Sequence, residues 1–340
     1  MIQIYLKKTL FGMLDYYIKM KDAQASVYRA VSNREWIRGK FLDSGGMSKL
    51  YHATCKQLPG NYVIKIGKLT TEVGVYTNIC KPYTLKAKGI KCMPEYIDGG
   101  IHKDTQEQFL VLKKYNQSYP LTEIISDNAF INITRDTLCA MKYLHENNYI
   151  HNDIKPENIL YNGENFILCD FGVSTKWNPE GNPEYDTNRF CGTKIFTGLD
   201  MHTKGQGPSP RSDMESLVFS MLRWCAIKLP WGKIKSLKDI YTLKYDFLES
   251  PDTLLSICPS KIKQDIIKEF ITHAGQVLFN KLPDYTMLNK ILDTAETYIS
   301  APCCELREHL QLVRNKLMLS DDPKDISAIA ALKYVDIWNK

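Results

Sequence analysis

Two acidic side chains and one carboxamide stand close together near the middle of this 340-residue chain, in an order that suits phosphoryl transfer. The stretch Tyr149-Ile150-His151-Asn152-Asp153-Ile154-Lys155-Pro156-Glu157-Asn158-Ile159-Leu160 reads H-x-D-x-K-x-x-N, and Cys169-Asp170-Phe171-Gly172 follows it. Moving a phosphoryl group needs little covalent help. It needs an attacking hydroxyl, the phosphate and metal ions held in line while charge spreads over oxygens. One carboxylate must face the hydroxyl, and Asp153 is the candidate. A second carboxylate and an amide oxygen can hold Mg2+, a hard cation that prefers oxygen ligands. Asp170 and Asn158 are the candidates for that. Lys155, two residues after Asp153, can point the same way and neutralise the transferring group.

Short strands and turns must position these groups. The apolar runs Tyr149-Ile150 and Phe166-Ile167-Leu168 stand where such strands are needed. The plain alternative is a buried strand, a turn and another strand carrying ordinary loop Asp and Asn residues. Both patterns together, in this order, argue against it.

The pair resembles the catalytic and metal-binding loops of protein kinases. Lys155 resembles the basic residue of serine/threonine rather than tyrosine kinases. The resemblance implies a nucleotide clamp upstream. Tyr62-Val63-Ile64-Lys65 is a β-branched run similar to the V-A-I-K strand. Lys65 would reach the α- and β-phosphates of ATP, oriented by Glu72 on the next helix. Singly, Lys65 reads as an exposed strand lysine and Glu72 as a solvated helix residue; their order relative to the catalytic loop sets them apart.

The glycine loop is degenerate. In Asp43-Ser44-Gly45-Gly46-Met47-Ser48-Lys49-Leu50-Tyr51 the G-x-G-x-x-G positions fall on Asp43, Gly45 and Ser48, so only the middle glycine survives, with Gly46 beside it. Glycine there lets backbone approach phosphates closely. Asp43 places a mildly repulsive carboxylate near them. After the strand Gln108-Phe109-Leu110-Val111-Leu112, the hinge would bond adenine through the Lys113 carbonyl and the Tyr115 N–H, with Leu112 behind the base. Cys169, just before Asp170, would face the nucleotide pocket as a target for electrophiles.

The region after Asp170 narrows the resemblance. It runs Cys191-Gly192-Thr193-Lys194-Ile195-Phe196-Thr197-Gly198-Leu199-Asp200-Met201-His202, then Ser209-Pro210-Arg211-Ser212-Asp213-Met214-Glu215, and has no A-P-E triplet. These strings, with Leu222-Arg223-Trp224, Leu229-Pro230-Trp231 and Pro283-Asp284-Tyr285, resemble the vaccinia-related kinases within the casein kinase I group. The resemblance covers about residues 30–295. It implies that Asp213 anchors the catalytic-loop backbone and that Thr193 bridges Asp153 and Lys155. Asn152 stands where many kinases have an Arg that gathers a phosphorylated activation loop, so activity should not depend strongly on such phosphorylation. Pro210 departs from the family's Arg.

The implied fold class is α+β, bilobal and protein kinase-like, with a small mostly β N-lobe and a larger mostly helical C-lobe. The expected division is an N-terminal extension over 1–29, N-lobe over 30–115, C-lobe over 116–300 and a C-terminal helical extension over 301–340. One small-lobe helix is expected near 70–80, and C-lobe helices over 131–147 and 214–227. An amphipathic segment is expected through about Met20, terminal helices over 302–319 and 323–338, and a mobile activation segment over 177–190. No apolar run reaches membrane-spanning length, and Lys7 and Lys8 make the N-terminus a poor signal peptide. The 10 cysteines show neither C-x-x-C nor zinc spacing, so reduced thiols in cytosol or nucleus are the expectation, in a host cell if the chain is viral. Net charge is +6. Lys81, Lys86, Lys88, Lys91, Lys261, Lys263 and Lys268 read as a solvated basic surface, and no nucleic-acid recognition motif supports charge alone.

The expected function is transfer of the γ-phosphate of Mg-ATP to Ser or Thr hydroxyls of a protein substrate, by a monomer. Two other readings stay open: a pseudokinase that serves as a binding scaffold, motivated by Asp43 and Ser48, and more distantly a small-molecule kinase.

Overall fold

A computed structural model describes residues 27–45, 48–117, 124–178, 190–203 and 206–300. Gly46, the amphipathic N-terminal segment, both expected terminal helices and residues 179–189 of the expected activation segment lie outside the described residues.

The small lobe is a six-stranded antiparallel sheet of β1 (Val27–Arg29), β2 (Glu35–Ser44), β3 (Ser48–Thr54), β4 (Tyr62–Gly67), β5 (Tyr96–Ile101) and β6 (Gln108–Lys113), in the order β1-β2-β3-β4-β6-β5. Side chains alternate across a strand, and both faces of this sheet are covered. Ile64 and Ile66 of β4, with Phe109 and Val111 of β6, join Trp36 and Tyr51 on the outer face. Val63, Leu110 and Leu112 face the cleft and join the larger core. Lys65 has the parity of Val63, so the alternation that buries Ile64 aims Lys65 into the cleft. Trp36 is fully buried and donates its Nε1–H to Asp98 Oδ2 at 3.0 Å, tying β2 to β5.

Two small-lobe helices follow β4 where one was expected: α1 (Thr70–Ile79) and α2 (Pro82–Ala87). Pro82, at the first turn of α2, cannot continue α1 but suits a new start. The sheet also begins at Val27, before the expected boundary at 30.

The chain crosses to the large lobe through β7 (Asn116–Gln117), which pairs with β9 (Ile159–Tyr161); β9 in turn pairs with β10 (Phe166–Leu168). The short strand β8 (Tyr149–Ile150) pairs with β11 (Thr175–Lys176). Helices α3 (Asp127–Glu146), α4 (Pro210–Trp224), α5 (Leu237–Glu249), α6 (Asp252–Leu255), α7 (Lys261–Gln276) and α8 (Tyr285–Ser300) complete the lobe. Four of them start on a serine whose hydroxyl accepts a first-turn N–H: Ser126 for α3, Ser209 for α4, Ser236 for α5 and Ser260 for α7. With Pro210 as its first residue, α4 begins four residues before the apolar run predicts, and it is buried along almost its whole length.

Lys263 is not on a basic surface. It is 1% exposed, donates to the Ile125 carbonyl and pairs with Asp127 Oδ1 at 3.2 Å. It lies in a stripe with Ile266, Ile267 and Phe270 on the packed face of α7.

Candidate active site

The loop between β8 and β9 carries Asp153, Lys155 and Asn158, and its shape is imposed from below by one buried carboxylate. Asp213, fully buried on α4, accepts the His151 N–H at 2.8 Å through Oδ2 and the Asn152 N–H at 2.9 Å through Oδ1. His145 Nε2 lies 3.0 Å from Asp213 Oδ2, and the Tyr285 hydroxyl lies 2.5 Å from His145 Nδ1. An acceptor carboxylate needs Nε2–H, which leaves Nδ1 to accept from the tyrosine. A buried relay thus runs Tyr285–His145–Asp213–catalytic loop.

Above it, Asp153 is fully engaged. Lys155 Nζ donates to Oδ2 at 2.6 Å and to Thr193 Oγ1 at 2.8 Å, while the Thr193 N–H donates to Asp153 Oδ1 at 2.7 Å. Asn158 Nδ2 donates to the Asp153 carbonyl at 2.8 Å and to Oδ2 at 3.1 Å. This leaves the Asn158 amide oxygen as the end of that side chain suited to a cation. The Cys169 N–H donates to the Asn158 carbonyl at 2.8 Å, which brings the residue before Asp170 against the catalytic loop.

Asp170 and Asn152 have φ of 68° and 70°. The left-handed region is costly for residues other than glycine, and asparagine tolerates it better than most. Two such residues at one site mark backbone held by its surroundings. Asn152 donates Nδ2–H to the Val173 carbonyl at 2.8 Å and to Thr175 Oγ1 at 3.2 Å, so it laces the catalytic loop to the start of the activation segment without any charge. Gly192 has φ of 86°, and a Cβ there would stand 2.2 Å from the Asn152 carbonyl oxygen. The approach of Thr193 to Asp153 therefore requires glycine at 192.

From the small lobe, Lys65 Nζ donates to Glu72 Oε1 and to Asp170 Oδ1, each at 2.8 Å. Burial works against the Lys65 ammonium, but the two carboxylates outweigh it and raise its pKa. Burial raises the Glu72 pKa, only partly offset by Lys65. For Asp170 burial again opposes ionisation, yet Lys65 and the Gly172 N–H prevail and hold its carboxyl below the ordinary range. Phe171 is fully buried, edge-on to Tyr76 of α1 (5.1 Å between ring centroids) and to His151 (5.4 Å), so one stack joins helix, metal loop and catalytic loop.

The remaining expected site residues are less defined. A Cβ at Gly45 would meet nothing nearer than Ser48 Oγ at 3.7 Å, so the protein itself does not demand glycine there. Lys113 ends β6, the Lys114 N–H donates to the Asn61 carbonyl at 2.9 Å, and the Tyr115 hydroxyl accepts the Glu95 N–H at 3.1 Å. Tyr115 is thus fixed by its side chain beside the expected hinge. Cys169 is partly buried. Its thiol lies 3.6 Å from the Ile167 carbonyl, and burial, with Asp170 adding to it, pushes its pKa up. Reactive thiolate is therefore scarce at this position.

His151 is neutral by construction: Nδ1 accepts the Asp153 N–H at 3.2 Å and Nε2 donates to the Cys169 carbonyl at 3.1 Å. Burial lowers its pKa below 6.5 against the pull of Asp213, Asp153 and Asp170. His202 is lowered to about 4, first by burial and then by Lys244. For both groups the unfolded chain binds protons more readily than the native state below pH 6.5. The stability these two imidazoles contribute therefore falls as pH drops through 6.5 toward the native values, opposed over the same range by Glu215, whose carboxyl burial raises to about 7. Urea denaturation of the parent and of His202→Gln at about pH 7, 6 and 5 is expected to show the parent losing stability relative to the variant as pH falls; parallel pH profiles for the two would contradict the assignment.

Sequence reasoning missed the His145–Tyr285 pair and Lys244, the latter described below. The signal for Lys244 was present: it stands at the i+4 position from Ile240 and three before Phe247, on the buried stripe of α5.

Comparison with known proteins bears on the whole arrangement. The protein kinase domain model matches residues 84–281, more than half of the chain. The human serine/threonine-protein kinase VRK2 is 30% identical over 312 residues, which cover 82% of this chain and 60% of that protein. The probable serine/threonine-protein kinase FPV212 of Fowlpox virus (strain NVSL) is also 30% identical, covering 79% of this chain and 95% of the relative. The B1 kinase of Vaccinia virus (strain Western Reserve) is 26% identical over 76% of this chain and 93% of its own length. Among solved structures, vaccinia related kinase 3 superposes with a TM-score of 0.68 over 81% of this chain and 91% of that one, at 24% identity, a likeness of fold. The chain belongs to the protein kinase family, with vaccinia-related and poxvirus kinases among its relatives.

Proposed function

We propose that this protein is an active serine/threonine kinase of the vaccinia-related type, within the casein kinase I group, and that it phosphorylates Ser or Thr hydroxyls of protein substrates. The observation that carries the reading is the Asp153 carboxylate, held by Lys155, Asn158 and the Thr193 N–H at the edge of the same cleft that Lys65 and Asp170 enter.

The residues present fit Mg-ATP. Among the described residues no three His, Cys, Asp or Glu side chains cluster as a self-sufficient metal site. One carboxylate (Asp170) and one carboxamide oxygen (Asn158) suit Mg2+, whose remaining ligands are commonly phosphate oxygens and water. Bound Mg-ATP would supply the phosphoryl group and the cation that balances its charge. Asp153 would orient the acceptor hydroxyl and take a hydrogen bond from it. Lys155 would move its positive charge toward the transferring group, with Thr193 fixing its angle. Lys65, oriented by Glu72, would hold phosphates, with Gly45 near them. The Lys113 carbonyl and Tyr115 N–H would receive adenine.

The scaffold reading rests on Asp43 and Ser48. The Asp43 Oδ1 accepts the Ser44 N–H at 2.7 Å, and the turn closes with the Gly45 N–H on the Ser48 carbonyl at 2.9 Å, so the carboxylate is engaged by its own loop. Thermal-shift titration with Mg-ATP, alongside labelled phosphate transfer to a protein substrate with Asp170→Asn as control, separates the two readings. A raised melting temperature together with transfer that the control lacks is expected; a shift without transfer would leave only the scaffold.

We infer a cytoplasmic or nuclear location. Among the described residues, the eight free cysteines at 55, 80, 92, 139, 169, 191, 225 and 258 suit a reducing compartment, and no helix is long and apolar enough to cross a membrane.

A further inference from the structure

Lys244, on α5, is fully buried. Its Nζ donates to the Lys194 carbonyl at 2.8 Å and to the Thr197 carbonyl, lies 3.3 Å from His202 Nε2, and stands 4.9 Å from the ring centroid of Phe219. An ammonium has three N–H donors; two of them meet these carbonyls, and the third meets His202 in the tautomer whose Nε2 carries no proton. Taking such a charge out of water is costly unless its hydrogen bonds are replaced. Every hydrogen-bonding replacement here comes from one short stretch, residues 194–202. Burial draws the Lys244 pKa down to about 7 against the pull of Glu215, which shows how far the group lies from solvent.

That stretch directly follows Thr193, which touches Asp153 and Lys155. Other groups pin it as well. Glu215 on α4, its own pKa raised to about 7 by burial, accepts the Leu199 N–H at 2.5 Å. Asp200 pairs with Arg211 and takes the Ser209 hydroxyl. Trp231 donates Nε1–H to the Ile195 carbonyl at 2.7 Å. Without an A-P-E triplet, the segment beside the acceptor site is held largely through its carbonyls, and Lys244 holds two of them.

We propose that Lys244 is a positioning residue that fixes the platform of residues 194–197 on which the protein substrate lies, and that it does not itself read substrate charge. The proposal rests on the kinase reading above. Its test is steady-state kinetics of the full chain and of Lys244→Met with two probes of opposite charge, casein and myelin basic protein. Losing two charge-assisted bonds to the platform is expected to raise KM for both probes alike, by about tenfold or more, while KM for ATP moves by less than about twofold. If Lys244→Met does not fold, Lys244→Gln, which keeps two N–H donors, is expected to show the same split at smaller size. A KM rise confined to casein would mean that the lysine reads acidic substrate and would overturn the proposal, as would an unchanged KM for both. A parent protein that phosphorylates neither probe overturns the kinase reading and the proposal with it; an active parent with an indifferent variant overturns the proposal alone.

Discussion

Asp153→Asn is expected to lower kcat for phosphate transfer by about 10²–10⁴-fold, the usual range for losing a proton-accepting group, while KM for ATP changes by less than about twofold. The substitution keeps the shape and most of the hydrogen-bonding capacity. It removes the negative charge that, on the proposed reading, would face the acceptor hydroxyl, and that Lys155 pairs with at 2.6 Å. The side chain is only 11% exposed and Lys155 20%, so solvent compensates the lysine poorly once its partner is neutral. A modest stability loss is therefore expected beside the kinetic one. The two are separable, because Lys155→Met in the Asp153→Asn background should relieve the unpaired cation without restoring turnover. Parental kcat in Asp153→Asn would remove Asp153 from the reaction.

Asp213→Ala is expected to destabilise the fold by about 3–5 kcal/mol, among the largest effects open to a single substitution in this chain. The alanine would leave the N–H groups of His151 and Asn152 buried without acceptors, at about 1–3 kcal/mol each, and would break the contact to His145. Asp213→Asn retains one acceptor oxygen and should fall between parent and alanine. Tyr285→Phe, which removes only the outer end of the relay, should cost least. Urea denaturation of the three variants checks the order Ala, Asn, Phe; an alanine variant within about 1 kcal/mol of the parent would show that the loop supports itself.

Much of the site was legible because phosphoryl chemistry restricts residue types at fixed spacings. Asp153, Lys155, Asn158 and Asp170 could be named from pattern alone, and the runs beside them predicted the strands. Lys65 and Glu72 were legible through order: a lysine ending a β-branched run, followed by a glutamate one helix later. What escaped prediction depends on partners that leave no trace in side-chain types. Lys244 and Lys263 both end on backbone carbonyls, which every residue has, so nothing distinguished them from surface lysines except their place on an apolar stripe. The Tyr285–His145 contact spans 140 positions and joins two helices whose packing the sequence does not announce. The second small-lobe helix was missed because Cys80-Lys81-Pro82 reads as a stop, and proline serves equally as a start.

Phe171 carries a practical consequence for chemical probes. Its ring is walled in by Tyr76 and His151, and the backbone that presents it is clamped at Asp170 by Lys65. A compound that gains affinity by expelling this phenylalanine must first undo two aromatic contacts and a salt link, a penalty of several kcal/mol set against whatever it gains.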